Sequence, residues 1–181
     1  MLISKPKSYN NWSTDLDNAA KYVAQITSSL DITHHISSIE NTQDGILAMF
    51  DQFSGIDWIG KTPENNLYGV AVRVQWVNDS KAWNSFTVRS KRHTGTKTEY
   101  EKRIQSIKEG FFYPMFTIQA YIDRKSDKIV SVALVKTVDL YEYMDKYSYE
   151  VTSNKSDNEF KVVWWNKYKE HYNIKIKDYS L

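Results

Sequence analysis

The chain has 181 residues, long enough for one domain with a substantial core, and lysine plus arginine (24) nearly balance aspartate plus glutamate (22). Net charge alone therefore does not indicate a nucleic-acid-binding protein, and any basic surface must be local. Cysteine is absent, which excludes disulfides and thiolate metal sites. No run approaches the ~20 apolar residues of a membrane helix, so the protein is expected to be cytoplasmic with no membrane partner.

The first two predicted elements are amphipathic helices. Apolar residues recur three and four positions apart over residues 14–30, which is the spacing of one helix face. The same pattern over residues 41–55 predicts a second helix that ends at Gly55. Asp44 lies in its first turn and Glu40 lies just ahead, so two carboxylates precede the strands that follow.

Three strand-like runs come next, at residues 56–60, 67–76 and 86–90. The segments between them, TPENN and VNDSKAWN, are short enough to join antiparallel neighbours. We therefore expect each run to lie beside the next one in a single sheet.

The second half of the chain begins with a helix. Thr98 and Glu101 form a capping box at its start, and Gly110 ends it. Two strands joined by the turn RKSD, and then a short helix, are predicted over residues 115–146. In the tail, YSYEVTS and EFKVVWW fit a hairpin, whereas KVVWWNKYKEHY fits a helix equally well.

These elements predict an α/β fold with a mixed central β-sheet flanked by helices. The order is helix, three antiparallel strands, helix, strand, strand, with extra helices at both ends, which favours a sheet covered on both faces. No linker or composition shift marks a second domain, so residues 1–181 are expected to form one domain. Its core is predicted over about residues 31–146, between an N-terminal helix at 14–30 and an aromatic tail at 147–181.

One predicted strand carries polar residues inside an apolar run. In VAVRVQW, Ala71, Arg73 and Gln75 share one face of the sheet, while the valines and Trp76 share the other. If the preceding strand pairs with this one through its turn, Asp57 lies beside the polar face. Two purely structural roles stay open: Asp57 as a strand-end carboxylate that accepts from a turn amide, and Arg73 with Gln75 on the solvated face of an edge strand.

This arrangement resembles the PD-(D/E)XK superfamily of restriction-endonuclease-like nucleases. The resemblance covers roughly residues 40–135 and rests on element order and a few polar positions. In that family an aspartate and a second acid hold a divalent metal, and a lysine two positions later orients or activates the attacking water. Asp57 matches the first acid, Arg73 falls at the lysine and Ala71 falls at the second acid.

The resemblance implies a restriction-endonuclease-like core with a degenerate motif. The Ala71 methyl group cannot bind a cation, so the missing acid is expected from Glu40 or Asp44, with the Gln75 amide oxygen as a further ligand. The metal implied is Mg²⁺ or Mn²⁺, held by Asp57 and the replacement acid.

The activity implied is metal-dependent hydrolysis of phosphodiesters in DNA or RNA, with DNA favoured, in restriction, recombination or phage defence. Asp57, Arg73 and Gln75 would be the catalytic residues, with Arg73 stabilising transition-state charge because a guanidinium cannot act as a base. A homodimer would let both strands of a duplex be cut. The alternative is a catalytically inactive nuclease-like fold that binds nucleic acid or a protein partner.

The segment TVRSKRHTGTK supplies a local basic cluster after the third strand. Arg89, Lys91, Arg92 and Lys97 stand beside threonines and a glycine just before the predicted helix. Cations, hydroxyls and backbone amides near a helix start can hold a phosphate backbone, so these four residues are the predicted nucleic-acid contacts. An ordinary solvated loop is the alternative.

Overall fold

The computed structural model describes residues 22–39, 42–78, 81–92, 94–147, 149–152 and 158–179, which form an α/β fold with two sheets. The helices are α1 (Val23–Ser29), α2 (Gly45–Met49, continued by a π-helical turn at Phe50–Ser54), α3 (Glu99–Glu109), α4 (Thr137–Tyr147) and α5 (Trp165–Tyr168). The strands are β1 (His35–Ser38), β2 (Trp58–Lys61), β3 (Leu67–Val77), β4 (Ser85–Lys91), β5 (Phe116–Asp123), β6 (Ile129–Lys136), β7 (Tyr149–Thr152), β8 (Glu159–Trp164) and β9 (Lys175–Asp178). Within these residues, no helix has the length and apolar character needed to span a bilayer.

The main sheet has six strands in the order β1-β2-β3-β5-β6-β9, and the second sheet has the order β4-β8-β7. β3 and β5 run parallel, while the other described neighbours in the main sheet are antiparallel, so the sheet is mixed as predicted. The grouping of the strands differs from the prediction. β4 lies in the second sheet rather than beside β3, and β1, which no sequence pattern indicated, completes an antiparallel set with β2 and β3.

β4 pairs with β8 of the tail instead of with β3. Residues 70–77 of β3 pair in parallel with residues 116–123 of β5, so this side of β3 is occupied. Parallel neighbours need a crossover rather than a tight turn, and β4 and α3 both lie within that crossover. On β4, Phe86 and Val88 are buried in a core cluster that also contains Trp165 from the tail.

Both faces of the main sheet are covered, as predicted. Val70, Val72 and Trp76 pack in a cluster that α1 covers through Ile26 and Leu30, so the apolar face of β3 is assigned correctly from the sequence. The opposite face meets the second sheet, α4 and α5 in another apolar cluster. The polar face of β3 therefore points into the molecule.

The predicted helix ends carry the expected capping groups. The Thr98 hydroxyl accepts from the Glu101 N–H at 3.2 Å and the Glu101 carboxylate accepts from the Thr98 N–H at 2.8 Å, which completes the capping box. Gly110 and Gly55 end their helices in the left-handed conformation, with φ of 68° and 58°. The predicted N-terminal helix is helical at Val23–Ser29, and its earlier part lies outside the described residues.

The tail contains both structures that fit its sequence. β7 and β8 pair as an antiparallel hairpin, and α5 begins directly after β8. β8 also pairs with β4, and β9 joins the main sheet beside β6. Trp165 and Tyr168 are buried, so the tail helps to form the layer over the polar face of β3.

Replacing Thr98 by alanine is expected to lower the free energy of unfolding by about 1 kcal/mol, because α3 loses its N-cap oxygen. Thr98→Ser keeps that oxygen and is the control, with a smaller expected loss. Chemical denaturation of the three proteins measures the difference. Equal stability of wild type and Thr98→Ala would show that the cap does not contribute.

Candidate functional site

A cavity of about 240 Å³ lies between the polar face of the main sheet and the second layer. β3 and β5 form its floor, β4 forms the opposite wall, and α3, α4 and the turn before β2 close its sides. The parallel register sets Arg73 beside Gln119 on the floor. The polar side chains that line this cavity include those of Asp57, Arg73, Thr87, Glu99, Arg103 and Gln119.

Arg73 is partly buried at the cavity floor. Within the described part of the chain, its guanidinium has no ion pair and no hydrogen bond to a protein acceptor. Its Cζ lies 5.9 Å from the centroid of the Phe160 ring, on which Arg89 also sits at 5.7 Å. Burial lowers the pKa of Arg73; the Glu99 charge opposes this shift and the Arg89 charge adds to it. Because an arginine stays protonated in proteins, the cavity holds a cation whose N–H groups find no acceptor among the described side chains and backbone.

Arg103 reaches the same cavity from α3 but is held by the backbone. Its guanidinium donates to the Ser54 carbonyl and, at 3.0 Å, to the Gly55 carbonyl. Gly55 has φ of 58°, and a Cβ atom built there would lie 2.8 Å from Arg103 Nη2. This position therefore suits glycine, and Arg103 fixes the turn that leads into Asp57.

Glu99 balances part of the positive charge beside the cavity. Its Oε1 lies 3.7 Å from Arg89 Nη1 and 3.4 Å from Arg92 Nη2. Two residues of the predicted basic cluster, Arg89 and Arg92, thus pair with one carboxylate that lines the cavity. The other two are engaged elsewhere: Lys91 pairs with Glu159 at 2.8 Å, and Lys97 donates to Gln105 at 2.6 Å.

Asp57 precedes β2 and lines the cavity, as the hairpin of β2 and β3 predicts. Its carboxylate also accepts from the Val72 backbone N–H at 2.5 Å. The carboxylate therefore has a structural role as well, because it satisfies an amide of a neighbouring strand. Asp57 also lines the same cavity as Arg73, so a structural role and a place in the candidate site coexist at one position.

Asp44, one of the two acids expected to replace Ala71, does not join Asp57. The Asp44 carboxylate caps α2 by accepting from the Ile46 and Leu47 N–H groups, and Asp44 is not part of the cavity lining. Glu40 lies outside the described residues. Within the described ranges, no three acidic or histidine side chains are grouped so that they could hold a metal ion.

The donor set of the cavity suits an anion better than Mg²⁺ or Mn²⁺. Mg²⁺ favours oxygen ligands in octahedral geometry, and the carboxylates here are those of Asp57 and Glu99. The first accepts a backbone N–H and the second is paired with arginines. The neighbouring guanidiniums of Arg73 and Arg103 repel a cation and attract an anion.

Gln75, expected to act with Arg73, does not line this cavity but is hydrogen-bonded to Gln119, which does. Gln119 Nε2 donates to Gln75 Oε1 at 3.2 Å, so the two amides bridge β3 and β5. Glu99, Arg103 and Gln119 were not expected from the sequence. Arg103 could have been found, because it lies three residues after Tyr100 on the face of α3 that packs inward.

No protein-family model matches the chain, and no curated protein matches it in sequence. The fold and the cavity are therefore the observations that bear on function.

Exchanging each cavity arginine for methionine is expected to separate a binding group from a structural one. Arg73→Met removes an unpaired, partly buried cation, so the melting temperature is expected to stay equal or rise. Arg103→Met loses charged hydrogen bonds to two carbonyls, with an expected loss of about 1.5–3 kcal/mol in unfolding free energy. Thermal and urea unfolding provide both values. A large loss for Arg73→Met would mean that its guanidinium serves the fold.

Proposed function

We propose that this protein binds nucleic acid through the phosphate backbone, with DNA favoured over RNA, at the cavity around Arg73. The observation that carries the proposal is the Arg73 guanidinium, which lies between two layers of structure and, among the described residues, makes no ion pair within 4 Å and no hydrogen bond to a protein acceptor. The planar guanidinium fork can donate to two oxygens of one phosphate, and bidentate contacts of this kind are strong. Bound phosphate would supply the acceptors that the protein does not.

The distribution of charge supports an anionic partner. The whole chain is nearly neutral, with 24 basic and 22 acidic residues. The cavity lining carries the guanidiniums of Arg73 and Arg103 and the carboxylates of Asp57 and Glu99. Glu99 is also within 4 Å of Arg89 and Arg92, so this group of side chains holds four positive charges and two negative ones. Such a concave basic site concentrates field lines and draws in a polyanion.

The order of elements supports a restriction-endonuclease-like core as part of the proposal. α1, the antiparallel set β1-β2-β3, α3, β5 and β6 follow one another as helix, three strands, helix, strand and strand, with α2 and β4 inserted. Asp57, at the start of β2, shares the cavity with Ala71 and Arg73 of β3. On this interpretation a nuclease-like fold has exchanged a metal-binding acid for alanine and a lysine for arginine, and has kept its affinity for phosphate. Restriction, recombination and phage defence are the proposed settings.

Binding is tested with fluorescently labelled single-stranded DNA, duplex DNA and RNA by fluorescence anisotropy at several salt concentrations. Arg73→Met is expected to weaken binding about tenfold or more and to reduce the salt slope by about 1, because one phosphate contact is lost. Lys136→Met is the matched control. It removes one positive charge from an exposed position on β6, on the opposite face of the sheet from Arg73, where Leu134 packs.

The proposal fails if the wild type binds none of these nucleic acids at low salt. It also fails if Arg73→Met and Lys136→Met weaken binding equally, since a diffuse charge effect would then account for the affinity. Circular dichroism of each variant confirms that the comparison is made between folded proteins.

Cleavage of nucleic acid at the same cavity, with Mg²⁺ or Mn²⁺, is the second candidate function. It is favoured by one observation: Asp57 and Glu99 both line the cavity that contains Arg73. The binding proposal expects intact plasmid, single-stranded DNA and RNA after incubation with either metal. Metal-dependent cutting that Asp57→Asn and Glu99→Gln abolish, but Lys136→Met does not, would establish the nuclease instead.

A further inference from the structure

A second and larger cavity, of about 480 Å³, lies at the C-terminal end of β3. β2 pairs with residues 67–70 of β3, so within the described residues the later part of β3 has a strand neighbour on one side only, β5. The cavity follows this edge. Gln75 and Trp76 of β3 line it together with Tyr121 of β5, and Lys81 and Trp83 from the segment after β3 complete it.

Trp83 lines this cavity but is not buried in either core cluster. Its side chain is 66% exposed, whereas Trp58 and Trp165 are buried in the two core clusters. A tryptophan that lines a cavity and keeps most of its surface in water offers a broad flat face to a ligand. Lys81 lies beside it in the same lining, so the ligand can carry negative charge.

The two cavities share one row of polar side chains. Arg73 and Gln75 lie on the same face of β3, two residues apart, which corresponds to about 7 Å along a strand. Gln119 lines the first cavity and donates to Gln75, which lines the second. Through this pair of amides the lining of the first cavity adjoins that of the second, and the proposed ligand would extend along the polar row from Arg73 toward the second cavity.

We propose that the second cavity is a nucleobase subsite, in which an unpaired base stacks on Trp83 while its strand is held at Arg73. This inference rests on the proposed function and specifies its substrate class: single-stranded nucleic acid, or a strand with an unstacked base. Stacking on an aromatic side chain tolerates any base, because every base has a π-face. A duplex keeps its bases inside and cannot use the subsite without unpairing.

The test compares three ligands of equal length by fluorescence anisotropy: a single-stranded oligonucleotide, the same backbone with abasic residues throughout, and a duplex. The wild type is expected to bind the base-containing single strand about fivefold or more tighter than the abasic strand. Trp83→Ala is expected to remove this difference and to leave binding of the abasic strand unchanged. Trp164→Ala is the matched control, since Trp164 is 37% exposed at the end of β8 and does not line the cavity.

The outcomes separate this inference from the proposed function. If the wild type binds the abasic strand and the base-containing strand equally, the subsite is overturned while phosphate binding at Arg73 stands, and the open edge of β3 becomes a candidate for an extended peptide. If Trp83→Ala binds the base-containing strand as tightly as the wild type, the subsite is overturned again. Recovery of the preference in Trp83→Phe, which keeps an aromatic face, supports it.

Discussion

The parallel pairing of β3 with β5 is the constraint on which the candidate site depends. It sets Arg73 beside Gln119 and Gln75 beside Tyr121, so polar residues from two strands form one row under the second layer. Polar groups in such a place are costly unless each one has a partner. The two glutamines bond to each other, and the Tyr121 hydroxyl donates to the Ser85 carbonyl at 2.9 Å. Among the described residues of this row, the Arg73 guanidinium has no hydrogen-bonded partner, so it is the group that can bind an anion in the cavity.

The arginines of the site show how one side chain can serve either the fold or a ligand. Arg103 uses its hydrogen bonds on the carbonyls of Ser54 and Gly55 and so joins α3 to the turn before β2. Arg73 and Arg89 instead flank the ring of Phe160, which compensates positive charge without occupying N–H donors. The ring thus makes it less costly to keep two cations close together while both can still bind acceptors.

Local patterns were sufficient to predict the two faces of β3 and most of the elements, but not β1 or β9. The alternation in VAVRVQW separated Arg73 from the buried valines, and the capping box at Thr98 located α3. Strand neighbours were harder, because β1 is only four residues long and polar, and nothing in the sequence of β4 shows that it pairs with a strand about 70 residues later. Predicting the cavity from sequence would have required that pairing.

The same limit applies to the site residues. Asp57 and Arg73 were predicted as site residues because they interrupt apolar strands. Glu99 and Arg103 were missed because an acid in the first turn and an arginine in the middle are ordinary in any helix. Asp44 was expected to be a metal ligand, whereas in the structure its carboxylate caps α2. The sequence is compatible with both roles, because aspartate is also a favoured N-cap residue.

The outer strands of the main sheet have a consequence for self-association. β1 is short and polar, and β9 places Lys175, Lys177 and Asp178 along the opposite edge, where both lysines lie within 4 Å of Asp31. Short, charged edges discourage the strand-to-strand pairing that leads to aggregation. Neither end of the sheet thus invites a second copy to extend it, even though the sheet is built from strongly β-forming sequence.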